Sequence, residues 1–226
     1  MKKTIIWILA LAALGGGVFL YMTRPVKVED SSTTAGIESE LSANNQKGET
    51  LYRIDKEQST AKFTIKEDLR GAPFTVVGTT SDISGDVVLK TEGKTELTLG
   101  TILIDVRTFK TDSANRDGAI NRLIVQTGTE GHEYAVLTSA SVSGFPETIT
   151  VGVPFTFSIT GDLMLAGIKQ PATFAVTATQ GTDTLSGTLS STLKRSDYKL
   201  VIPNIPFVAN VPDEFVVSAD FVAVAQ

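Results

Sequence analysis

From Leu51 to the C-terminus, apolar and polar residues alternate one for one over long runs. Ala61, Phe63 and Ile65 alternate with Lys62, Thr64 and Lys66. Phe155, Phe157, Ile159, Gly161, Leu163 and Leu165 alternate with Thr156, Ser158, Thr160, Asp162 and Met164. Phe215, Val217, Ala219, Phe221 and Ala223 alternate with Val216, Ser218, Asp220 and Val222. Successive side chains of a strand point to opposite faces, so this pattern demands a sheet with one apolar and one polar face. Leu97 to Val106, Phe174 to Ala178 and Leu185 to Leu193 add further β-rich runs. Turn chemistry separates them at Arg70-Gly71-Ala72-Pro73, Glu92-Gly93-Lys94, Ser143-Gly144-Phe145-Pro146, Gln180-Gly181-Thr182-Asp183 and Val211-Pro212-Asp213. About eight strands joined by turns predict an all-β domain, either an up-and-down barrel or a sandwich.

One stretch reads as helix. In Arg116 to Ile124 the apolar Ala119, Ile120, Leu123 and Ile124 share a face at helical spacing, with Asp112 or Ser113 as cap. A short helix over a barrel mouth acts as a lid; over a sheet edge it is only a cover. Gly78 and Gly100 fall within strand-like runs and predict bulges or barrel bends.

The N-terminus is of another kind. Ile5 to Met22 is uncharged, with Lys2-Lys3 before it and Arg24-Pro25 after it. With its flanking threonines the run has about 20 residues, which at about 1.5 Å each span a bilayer core of about 30 Å. A cleaved signal peptide is the rival reading, but cutting at the one Ala-x-Ala, Ala10-Leu11-Ala12, leaves too short an apolar stretch. Residues 1–23 are therefore expected to be an N-terminal transmembrane helix, a signal anchor with the N-terminus inside. This single pass through the cytoplasmic membrane leaves the C-terminal domain periplasmic or extracellular. Residues 24–50, rich in Ser, Thr, Glu, Asn and Gly, read as a flexible linker, and residues 51–226 as the folded domain.

Composition narrows the chemistry. The 226 residues contain no Cys and one His. Disulfide scaffolds, thiolate metal sites and cysteine nucleophiles are thereby excluded, and no metal or cofactor is expected. His132 lies in the polar run Thr129-Glu130-Gly131-His132-Glu133 with no orienting partner that spacing reveals, so no enzyme is expected. The domain is mildly acidic and has no Lys/Arg cluster, so nucleic acid is not an expected partner.

Four elements resemble the YceI-like family of lipid-binding proteins. They are Tyr52-Arg53-Ile54-Asp55 with Ser59; Phe109-Lys110-Thr111-Asp112 leading to Arg116-Asp117; the run from Thr160 to Phe174 containing Gly161, Leu163, Gly167 and Pro171; and Arg195-Ser196-Asp197-Tyr198. Each alone is weak, but their order is specific and covers nearly all of 51–226. The chain departs from the family pattern at Gln58 and at Ala119-Ile120, where the family commonly carries His and His-Leu. The resemblance implies an eight-stranded antiparallel lipocalin-like barrel, an elongated apolar cavity, and a polyisoprenoid or related amphiphilic lipid as partner, without catalysis.

Such a barrel has room for one small ligand, and each buried methylene contributes about 0.8 kcal/mol. The candidate lining is Phe63, Ile65, Phe74, Phe155, Phe157, Leu163 and Phe174; the alternative is that these side chains fill a dry core. Asp112, Arg116 and Asp117 are candidates for a polar mouth, or for ion pairs that fix the lid. Asp105 either faces solvent or serves a site, and Arg195 and Asp197 are expected to fix a strand end. Two readings remain: a membrane-tethered lipid carrier, and a structural or interaction module with a filled interior. A homodimer is open to either.

Overall fold

The computed structural model describes residues 48–204 and 207–226, all within the compact unit Glu38–Gln226. The expected anchor, and the linker up to residue 47, lie outside the described residues. Among the described residues no helix is long and apolar enough to cross a membrane. The first strand begins at Glu49, two residues before the expected domain start.

Alternation becomes strand throughout. The elements are β1 (Glu49–Ile54), β2 (Thr60–Leu69), β3 (Ala72–Thr80), β4 (Ile83–Ser84), β5 (Asp86–Lys90), β6 (Glu96–Leu99), β7 (Ile102–Asp105), α1 (Ala114–Ala119), β8 (Tyr134–Ser143), β9 (Phe155–Leu165), β10 (Ile168–Gln180), β11 (Thr184–Lys194), β12 (Val208–Ala209) and β13 (Glu214–Ala225). One curled antiparallel sheet takes them in the order β4-β7-β8-β9-β10-β11-β13-β1-β5-β6, with β2 also on β13, and β3 and β12 on β2. The thirteen segments exceed the expected eight because single runs of sequence break where the sheet bends.

The sharpest break lies on β13. Its Ala223–Ala225 pair with β1, whereas Val216–Asp220 pair with β2, so the strand changes partner at Phe221-Val222. Buried Ser59 repairs the ladder there: Val222 N donates to its Oγ at 3.0 Å, and that hydroxyl donates to Val222 O at 3.3 Å. Asp55 turns the chain from β1 to β2 by accepting from Gln58 Nε2 at 2.6 Å and Glu57 N at 2.9 Å, and these bonds hold its carboxyl below the usual range.

Gly78 is not at a bulge. It pairs with Phe63 in an unbroken register, and a Cβ placed there would lie 2.1 Å from the Phe63 ring, so the missing side chain makes room for the phenylalanine. Gly100 lies between β6 and β7 rather than inside a strand. One register shift does occur where β8 faces β9, between Thr138 and Ser141, and there Ser139 takes a positive φ of 52°.

The expected helix is shorter and of two kinds. After α1 the chain widens into a π-turn over Ile120–Ile124, closed by Val125 N donating to Ile120 O. An i→i+5 turn rotates later residues relative to an α-helix, so Leu123 leaves the apolar face and is 52% exposed. Neither Asp112 nor the positional cap Ser113 caps through its side chain. Asp117 instead accepts from Thr111 N at 2.8 Å and Thr111 Oγ1 at 2.7 Å.

Candidate functional site

The side chains of the sheet's apolar face do not fill the space between them. They surround a cavity of about 250 Å³. Leu185, Leu189 and Leu193 of β11 all line it, as do alternate residues of β13 from Phe215 to Ala223. Eight residues of strand at about 3.3 Å each make the space roughly 26 Å long.

Among the sequence candidates, Phe63, Ile65, Phe157, Leu163 and Phe174 line this space, and Phe74 and Phe155 do not. Both exceptions are on the correct face but beyond an end of the cavity. Phe74 pairs with Glu67 near the β2–β3 turn, where the Arg116 guanidinium covers its ring at 5.2 Å. Phe155 pairs with Ala178 near the opposite end and packs against Phe145 and Phe157, with centroids 5.6 and 5.9 Å away.

Of the two readings for Asp112, Arg116 and Asp117, a polar mouth or ion pairs that fix the lid, the geometry matches the second. Arg116 pairs with Asp112 and, at 3.5 Å, with Glu67 of β2, and Asp117 is the buried acceptor for Thr111. None of the three lines the cavity; Arg116 fastens α1 to the β2–β3 hairpin, and Asp117 fastens it to the segment before it. Asp105 is likewise structural, accepting from Arg107 N at 2.9 Å and pairing with its guanidinium at 2.6 Å.

Sequence reasoning missed Phe109, Ile120, Ile124, Leu200 and Ile202, which line the space too. Phe109 meets Phe63 at 5.3 Å. Leu200 and Ile202 flank Val201 with the spacing of a short strand, a signal present in the sequence between the Arg195-Ser196-Asp197-Tyr198 element and the Val211-Pro212-Asp213 turn.

Polar groups at the lining are few: Lys62, Ser218 and Arg195. The Lys62 ammonium pairs with Asp220. Each nitrogen of the Arg195 guanidinium is engaged, donating to Pro212 O (2.9 Å), Leu200 O (3.1 Å) and Val211 O (3.2 Å). Arg195 thus fixes the end of β11, as expected. Beside it Ser196 donates to Asp213 through Oγ at 2.6 Å and through N at 2.9 Å, which lowers that carboxyl below its usual range. The Asp197 side chain is exposed, and its backbone carbonyl accepts from Gln170 Nε2. Such a space takes hydrocarbon and leaves any polar head outside.

His132 Nδ1 lies 2.8 Å from Val125 O, and Nε2 would be 3.0 Å from a Cβ at Gly167. The imidazole therefore ties the π-turn to the β9–β10 turn. Among the described residues no group of acidic or His side chains has a metal-binding arrangement.

Comparison with known proteins places this geometry. The model of the YceI-like domain matches residues 52–223. The fold resembles a polyisoprenoid binding domain from Saccharophagus degradans implicated in plant cell wall breakdown, at 16% identity and a TM-score of 0.57, covering 77% of this chain and 98% of that one. BcnA of Burkholderia cenocepacia is similar at 18% identity and a TM-score of 0.56, over 76% and 99% of the two chains. No curated protein matches the sequence. At these identities the structural likeness establishes the fold.

Proposed function

The chain belongs to the YceI-like family, and from that premise we propose that it is a carrier holding a polyisoprenoid or similar amphiphilic lipid, with the hydrocarbon chain inside the curled sheet and the head group outside. The observation that carries this reading is the apolar space running from Leu185 to Leu193, whose charged neighbours, Lys62 and Arg195, are bound to other groups. A structural module with a filled interior would leave no such space. With its breaks merged, the sheet serves as the eight-stranded lipocalin-like barrel of this reading. The uncharged run from Ile5 to Met22 supports a membrane tether and an extracytoplasmic domain. No catalytic step belongs to the proposal.

Five carbons per isoprene unit at about 0.8 kcal/mol each give a gross gain of about 4 kcal/mol per unit, against a fixed association cost of about 4–15 kcal/mol. Affinity then rises steeply with chain length until the space is full. Fluorescent geranyl, farnesyl and geranylgeranyl probes should bind at one saturable site, each tighter than the shorter one by about tenfold or more. Leu189→Trp, which fills the cavity midway, should abolish binding of the longest probe. Equal affinity for all three, or unchanged binding by the filled variant, would overturn the proposal.

A further inference from the structure

The end of the sheet bearing α1 also carries a loop that is apolar on both sides. Leu200 and Ile202 line the cavity, while Val201 between them is 70% exposed. The wall here is one chain thick, with hydrocarbon facing the cavity and solvent alike. Phe207 on the same excursion is 72% exposed and held at a φ of 74°, a backbone conformation that costs an aromatic residue strain. The excursion is pinned at both ends. Arg195 binds Leu200 O before it and Val211 O after it, and Arg70 N donates to Phe207 O at 2.7 Å. Exposed Val216 and Val77 lie on the same outer wall, both opposite Thr64 of β2. Four of the seven exposed large apolar side chains among the described residues thus belong to the loop and its neighbouring wall. Exposed Lys199 and Arg70 flank the loop.

We propose that this loop is the docking edge of the protein on a lipid bilayer, with Val201 and Phe207 entering the acyl boundary so that a lipid chain passes from bilayer to cavity without crossing water. The inference rests on the carrier reading. The occupant follows from continuity: the outer apolar surface is the reverse side of the same short segment that lines the cavity, and a cavity built for hydrocarbon fills from a hydrocarbon phase. The Arg70 N–Phe207 O bond fixes the backbone at Phe207 with its ring exposed in the free protein, as an insertion element requires.

The test uses the full chain in vesicles of phosphatidylethanolamine and phosphatidylglycerol, in a Trp7→Phe background that removes its only tryptophan. Phe207→Trp and Val151→Trp then each place one reporter, the second at an exposed valine in the turn between β8 and β9, at the opposite end of the sheet. The expected result is a blue-shifted emission from the first reporter, quenched severalfold more strongly by doxyl-labelled lipid than the second. Equal quenching of the two, or a Phe207→Trp spectrum that is blue-shifted without vesicles, overturns docking. In a second arm Val201→Asp with Phe207→Asp should slow uptake of a prenyl probe from vesicles by about tenfold with its affinity for probe supplied in solution unchanged. Unchanged uptake from vesicles overturns the proposal. Failure of the unsubstituted chain to bind any prenyl probe defeats the carrier reading instead, and the quenching arm then decides docking alone.

Discussion

The two ends of the curled sheet are built to different rules. At the end where β10 turns into β11, Leu185 is 2% exposed, Ala178 1%, and Ala223 and Leu89 0%. Phe145, Phe155 and Phe157 stack there in one cluster. At the other end α1 gives way to a π-turn, Leu123, Val201 and Phe207 are exposed, and the connections are held by single side chains such as Arg195 and His132. One end is closed by packing, the other by latches. A long cavity with one floor and one mouth needs this division, because packing energy falls steeply with any gap whereas a hydrogen-bonded latch can open at modest cost.

The largest effect should come from attacking the floor. Leu89→Ala removes a fully buried side chain that does not line the cavity, and should cost about 3 kcal/mol, or roughly 10 °C in melting temperature. Leu123→Ala at the mouth should stay within about 0.5 kcal/mol. Chemical denaturation of both variants checks the contrast; a similar loss in the two would remove the distinction between the ends.

A smaller, pH-dependent effect sharpens it at the mouth; Tyr52 and Tyr198 are each 2% exposed, but their hydroxyls are placed differently. The Tyr52 hydroxyl at the floor is 3.5 Å from Gln180 Nε2, whereas the Tyr198 hydroxyl at the mouth has no partner. Burial, with the nearby Asp197 charge adding to it, pushes the Tyr198 hydroxyl up to about 12 from an ordinary value of 10.0. The unfolded chain loses this proton near pH 10 and the folded chain holds it to about pH 12. Stability is therefore unaffected below pH 10 and falls as pH rises through that window, by about 2–3 kcal/mol at its upper end. Tyr198→Phe should flatten that decline, as denaturant melts at pH 8 and pH 11 would report.

Much of this architecture is legible as alternation, because period two states which face a side chain occupies. It says nothing about depth along the strand. Phe74 and Phe155 illustrate the difference: each is on the inner face, yet one lies under Arg116 beyond the mouth and the other in the aromatic floor. The partner change on β13 is invisible for another reason, since it rests on a lone Ser59 hydroxyl beside the Asp55 N–Val222 O bond and leaves no periodic trace. The helical stretch lies where its apolar spacing predicts it but with another period, because the i→i+5 turn moves Leu123 from cavity to solvent. Arg195 was recognised as structural from its motif, and the three carbonyls it binds are why a charged residue can border an apolar space.

The smallest effect tests whether the mouth is latched at all. His132 bonds a carbonyl at the end of the π-turn and rests against the β9–β10 turn, so it joins two pieces of the mouth and nothing at the floor. Removing one such hydrogen bond costs about 1 kcal/mol globally. A latch differs from an ordinary bond in where that loss appears. His132→Ala should raise amide exchange in residues 114–125 while leaving β1, β5 and β13 as protected as before, and should release a bound prenyl probe faster by about fivefold with little change in its rate of global unfolding. Exchange that rises equally at both ends would mean that His132 stabilises the whole sheet, and the mouth would then have to be held by the other latches, Arg195, Arg116 and Asp117.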